Sequence, residues 1–138
     1  MMKLEDQVCN LKLSKKLKEL GVKQESLFYW LDGNVMSVDK IEWARIEFNS
    51  ELTTYSLKEI YSAFTVAELG EGLPESIITK QCPDSFYLSI TKLENNIWEV
   101  CYVTDTDYTV LHYTQDLIEA NARALMRIYL IENGLVKI

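Results

Sequence analysis

Prolines number two, glycines five, cysteines three and histidines one in this chain of 138 residues, and each scarcity removes a class of protein. So few prolines and glycines exclude a collagen-like or low-complexity chain, and an apolar share of 48% with 25% charged residues is that of a folded globular mixture. Cys9, Cys82 and Cys101 are odd in number and widely spaced, which suits neither a disulfide framework nor a metal knuckle. Free, mostly buried thiols are the expectation. Apolar runs stop after a few residues, where a membrane span needs roughly 20. The opening MMKLEDQVCN has no hydrophobic segment of a secretory signal, so the expectation is a cytoplasmic protein with no membrane partner. ELGEG, residues 68 to 72, lacks both the lysine and the spacing of a phosphate-binding loop.

Positive charge is also short, with 14 Lys and Arg against 21 Asp and Glu, a net charge of −7. Residues 1–25 hold six Lys and four acids, or +2, which leaves −9 on the remainder. Direct nucleic-acid binding is not expected, because it rests on clustered cations that release phosphate counterions. An acidic surface could instead occupy a basic protein where phosphates would sit, although −7 also serves ordinary solubility.

Three helices have local grammar. In NLKLSKKLKELGV, Asn10 suits an N-cap, Leu13, Leu17 and Leu20 form one stripe, and Gly21 followed by Val22 suits a Schellman ending. Thr65 and Glu68 form a capping box that opens a helix of under ten residues, ended by Gly72 and Pro74. The terminal helix, EANARALMRIYLIENGL, is apolar on nearly every side and must be covered; Asp116 with Glu119 is its expected cap, Gly134 its stop and Leu135 the residue that folds back on Leu130.

Strands are clearest from Phe86 to Thr104, where Asn95 and Asn96 suit a two-residue hairpin turn. That turn makes Lys92 face Glu99 and places Phe86, Leu88, Ile90, Cys101 and Val103 on a core face. The other face then carries Tyr87, Ser89, Thr91, Leu93, Trp98, Val100 and Tyr102, an aromatic surface suited to a partner or to a second copy. YTVLHYTQ continues the meander as a third strand. An earlier hairpin joins SLFYWL through Asp32, Gly33 and Asn34 to WARIEF, beginning at Trp43, while residues 50–62 read equally as loop or short helix. The fold class is therefore α+β in a single domain over 1–138: an antiparallel sheet, made of a hairpin and a three-strand meander, with three helices and the long C-terminal helix packed on the sheet.

LEDQVCNLKLSKKLKELGVKQESLFYW, AFTVAELGEGLP and EANARALMRIYLIENGL, residues 4–30, 63–74 and 119–135, resemble a family of small uncharacterised proteins encoded by phages, prophages and mobile elements of gut-type bacteria. The resemblance implies a genetic setting and no activity or functional residue. Chemistry is sparse on its own terms. His112 is the single histidine and lacks a nucleophile signature nearby, and Asp105 with Asp107 lacks the further oxygens of a calcium loop, so no catalytic residue, metal or cofactor is assigned. Glu119, Arg123 and Arg127 read as an i, i+4 ladder or, more sharply, as a fork for a phosphate or carboxylate. The binding residues expected are Tyr87, Trp98, Tyr102, Arg123 and Arg127. The function expected is a non-enzymatic accessory protein that binds and inhibits a host protein, plausible for an anti-defence role, with homo-oligomers open. Rival readings are a sequestering protein for a small anion and an unrecognised hydrolase using His112 or the aspartates.

Overall fold

A computed structural model describes residues 3–37 and 60–138. Its helices are α1 (Leu11–Glu19), α2 (Val66–Glu71) and α3 (Glu119–Glu132), and its strands are β1 (Phe28–Leu31), β2 (Asn34–Ser37), β3 (Tyr61–Ser62), β4 (Ser76–Ile77), β5 (Phe86–Lys92), β6 (Trp98–Val103) and β7 (Val110–Asp116). Among the described residues two antiparallel sheets form, ordered β2-β1-β3 and β4-β5-β6-β7, so the protein is α+β. No helix among the described residues is long and apolar enough to cross a membrane.

Local chemistry starts and stops these elements. Asn10 Oδ1 accepts the Leu13 amide at 2.9 Å and caps α1. Past its end, Gly21 takes a φ of +90° and the Val22 amide donates to Leu17 O, the hydrogen bond of a Schellman motif. Thr65 and Glu68 form the reciprocal capping box of α2. Gly134 at φ +66° repeats the Schellman ending after α3, with Leu135 N bonded to Leu130 O. The start of α3 differs from expectation. Asp116 ends β7, three residues before the first helical residue, and accepts the Ile118 amide at 2.8 Å, while Ile118 occupies the cap position without a side-chain bond. Asp32 and Gly33, at φ 50° and 78°, turn β1 directly into β2, so the return strand begins at Asn34. WARIEF and residues 50–59 lie outside the described residues.

α3 lies between two cores, which accounts for its all-round apolar sequence. Ala120, Ala124 and Ile128 face a cluster containing Leu13, Leu17, Val22, Phe64 and Leu69, supplied by α1, α2 and adjoining chain. Ala122, Met126 and Leu130 face Phe86, Val100 and Tyr102 of the four-stranded sheet. The long C-terminal helix thus packs on the sheet. A polar chain pins its first turn: buried Asn121 accepts the Asn10 amide at 2.8 Å and donates to Asp116 Oδ1 at 3.2 Å, tying α1, α3 and β7 together.

Hairpin β5–β6 corrects the expected register. The loop is Glu94–Asn96, three residues closed by Leu93 N to Ile97 O at 2.7 Å, with Asn95 and Asn96 at φ 66° and 61°. Both asparagines take the left-handed angles, but Lys92 pairs with Trp98 and Thr91 with Glu99. One extra loop residue shifts pairing by one, and a side-chain period of two then moves every β6 residue to the opposite face relative to β5. The core face carries Phe86, Leu88 and Ile90 with Trp98, Val100 and Tyr102. Cys101 and Val103 point outward. The Lys92–Glu99 ion pair does not form; Lys92 Nζ lies 5.5 Å from the Trp98 ring centroid, and Glu99 accepts from Gln115 Nε2 at 2.6 Å.

Candidate functional site

The five expected binding residues divide among four places. Tyr102 is fully buried, its hydroxyl donates to Pro74 O at 2.7 Å, and desolvation raises its pKa. It is a core residue and cannot meet a partner. Trp98, also on the core side, lines a groove of about 640 Å³ with Phe28, Val66, Leu117 and Ile118, rimmed by Asp6 and Glu119. Tyr87 alone of the three aromatics reaches the outer face, where it is 46% exposed. The continuous Tyr87–Trp98–Tyr102 surface therefore does not exist, for the register reason above.

A different surface stands in its place. Rows across β5, β6 and β7 on the outer face are Tyr87, Val103 and Val110, then Ser89, Cys101 and Tyr113, then Thr91, Glu99 and Gln115. Tyr113 is 58% exposed and Val110 50% exposed. Two of the three free cysteines are not fully buried: Cys82 is half-buried, and so is Cys101 within this patch. Burial, then the nearby Glu99 carboxylate, raise the Cys101 thiol pKa, which keeps it protonated at neutral pH. A two-residue turn puts Val103 on the core face, and Val110 and Tyr113, three positions apart, share the outer face only because β7 bulges at Leu111. No helix of the described residues covers this face, since α3 occupies the other side, where Thr114 Oγ1 donates to Ala122 O at 2.6 Å.

Arg123 and Arg127 lie against α2. Arg123 pairs with Glu119 at 3.0 Å and donates weakly to Val66 O, as the ladder reading expects. Arg127 does not extend that ladder and forms no ion pair among the described residues. Its stem crosses Gly72, where an added Cβ would stand 2.5 Å from Nε, and Arg123 crosses Gly70 in the same way at 2.7 Å. The two glycines of ELGEG are thus spaces for arginine side chains. Desolvation lowers the Arg127 pKa. The depression beside it, about 240 Å³, is also lined by Lys23 and by Glu25, Glu68 and Glu71, so three carboxylates against two cations oppose capture of a small anion.

His112 stacks on Tyr129 with ring centroids 3.7 Å apart and planes 6° from parallel, and desolvation lowers its pKa. No hydrogen bond joins its ring to another described residue. Asp107 accepts from Thr104 Oγ1 at 2.6 Å and Thr109 Oγ1 at 2.8 Å, bonds that hold its carboxyl below the usual range and organise the β6–β7 turn. Asp105 is exposed in the same turn. Among the described residues no group of three His, Cys, Asp or Glu side chains is placed to hold a metal ion. Comparison with protein families, curated proteins and solved structures returns no match for this chain.

Proposed function

We propose that this protein acts by stoichiometric binding to another protein, with the outer face of β5–β7 as its contact surface. The observation that carries this reading is the apolar field of Tyr87, Val103, Cys101, Tyr113 and Val110, which no described element covers, on a sheet whose other face is already packed on α3. Exposed tyrosines on a rigid sheet present large contact area with little side-chain entropy to lose, which is the composition of binding hot spots. The resemblance to phage and mobile-element proteins supplies the setting: an accessory protein that inhibits a host factor, with a defence component as a natural target. Tyr87→Ser with Tyr113→Ser tests it. Both side chains are about half exposed, at 46% and 58%, so the double variant should melt as the parent does while a one-to-one complex recovered from bacterial lysate, seen by native mass spectrometry, disappears. Complex formation undiminished by the double variant, or turnover of a substrate by the purified protein that His112→Gln abolishes, overturns the reading.

A further inference from the structure

β7 is an open edge. It pairs with β6 on one side, and no described strand or hydrogen bond occupies its other side. Edge strands expose a row of unpaired amides and carbonyls and are usually blunted by lysine, proline, a bulge or a cover. In β7 the bulge sits at Leu111, near its start, because Tyr102 pairs with His112 and Val103 with Val110. From His112 to Asp116 the strand is regular, without lysine, arginine or proline, and exposed Leu117 follows it. Five regular residues are the length of a common strand pairing.

Charge around this edge has one sign. Between Cys82 and Leu117 lie Asp84, Glu94, Glu99, Asp105, Asp107 and Asp116, six carboxylates, against the single cation Lys92. Lys92 sits on the core side, over Trp98. Glu99 lies in the outer face, Glu94 in the loop at one end, and Asp105 and Asp107 in the turn at the other, where Thr106 Oγ1 reaches Asp84 at 3.5 Å. The apolar rows are therefore flanked at both ends by anions that form no ion pair among the described residues.

We infer that the partner contributes an extended cationic segment, with lysine or arginine alternating with apolar residues, which adds to the β7 edge as a fifth strand of the sheet. Backbone hydrogen bonds to β7 would supply affinity, the apolar positions would meet Tyr113 and Leu117, and the cations would meet the flanking carboxylates. A second copy of the chain fits less well, since it would bring another −7 to the same edge. This inference rests on the binding reading above and names the partner's chemistry.

The probe is a blocked lysine–valine alternating peptide of about seven residues, the length of β7, measured by fluorescence anisotropy at low salt and by amide exchange of the labelled protein. Binding with added protection at alternate amides between His112 and Asp116 is expected. A glutamate–valine peptide should fail to bind, and Glu99→Lys with Gln115→Lys should weaken the cationic peptide at least about tenfold, with added salt doing the same. N-methylation of alternate peptide amides, in either of the two phases, retains charge but should remove binding in one phase. Equal affinity for both N-methylated forms, or unchanged β7 exchange, overturns strand addition. If the tyrosine-dependent complex from lysate persists in that case, the contact surface stands and only the partner chemistry falls; if neither is seen, both fall.

Discussion

Asn121 is the most informative single position for stability, because its amide joins three elements. Its Oδ1 accepts the Asn10 amide at 2.8 Å, its Nδ2 donates to Asp116 Oδ1 at 3.2 Å, and its side chain is 4% exposed. Asn121→Ala removes both bonds. Each net hydrogen bond contributes about 1 kcal/mol, and a group left unsatisfied costs about 1–3 kcal/mol. Asn10 is exposed enough for water to replace its partner, and Asp116 keeps the Ile118 amide, so the lower part of that range applies. The expected loss is about 2–3 kcal/mol, or roughly 6–12 °C in Tm for a domain of this size. Asn121→Asp sharpens the argument. Two carboxylates then share one site and raise their joint folded pKa, so the folded form holds a proton that the unfolded chain releases. Stability of that variant relative to the parent should therefore recover as pH falls from 7 toward about 4.5. Urea unfolding at several pH values measures both effects. A loss under about 0.5 kcal/mol for Asn121→Ala, or no pH dependence in the Asn121→Asp deficit, refutes the polar link as a structural element.

Thr65→Ala should cost about 1 kcal/mol by opening the capping box, with Thr65→Ser retaining most of it; equal midpoints for all three proteins in urea would contradict the assignment. Gly72→Ala should cost about 1–3 kcal/mol through collision with Arg127 and fall to near zero in an Arg127→Ala background, and a double-mutant cycle with no coupling would dismiss the contact. Since burial holds the folded His112 pKa below its unfolded value of about 6.5, the unfolded chain takes up the proton first and stability declines as pH drops below that value. His112→Gln should flatten this slope, and identical slopes in parent and variant would remove His112 from the linkage.

Much of the fold was legible because its signals are short-range. Asn10, Thr65 with Glu68, Gly21 with Val22 and Gly134 with Leu135 act on backbone groups within a few residues, and each operates as its residue type requires. The cap assigned to Asp116 failed at the next level: the same carboxylate is there, but β7 extends to it and its second donor is Asn121, a contact made by the folded chain. Among the candidate site residues, Tyr87 was placed on an open face correctly in kind, while Trp98 and Tyr102 were assigned to the wrong side. Arg127 looked like the end of an ion-pair ladder because spacing along a helix shows only the helix's own neighbours, not Gly72, the C-cap of α2, beneath its stem.

Sequence alone determined the fold class, the helix ends other than the start of α3, the left-handed asparagines of the hairpin and the need to cover the C-terminal helix on nearly every side. Tertiary structure decided what covers it, with α1 and α2 against one side and the four-stranded sheet against the other. It also decided which residues of β6 meet solvent. Composition constrains a strand's two faces as sets, but the choice between them depends on whether two or three residues close a loop. Both closures admit Asn95 and Asn96 at positive φ; only packing of Val100 and Tyr102 against α3 selects the three-residue form.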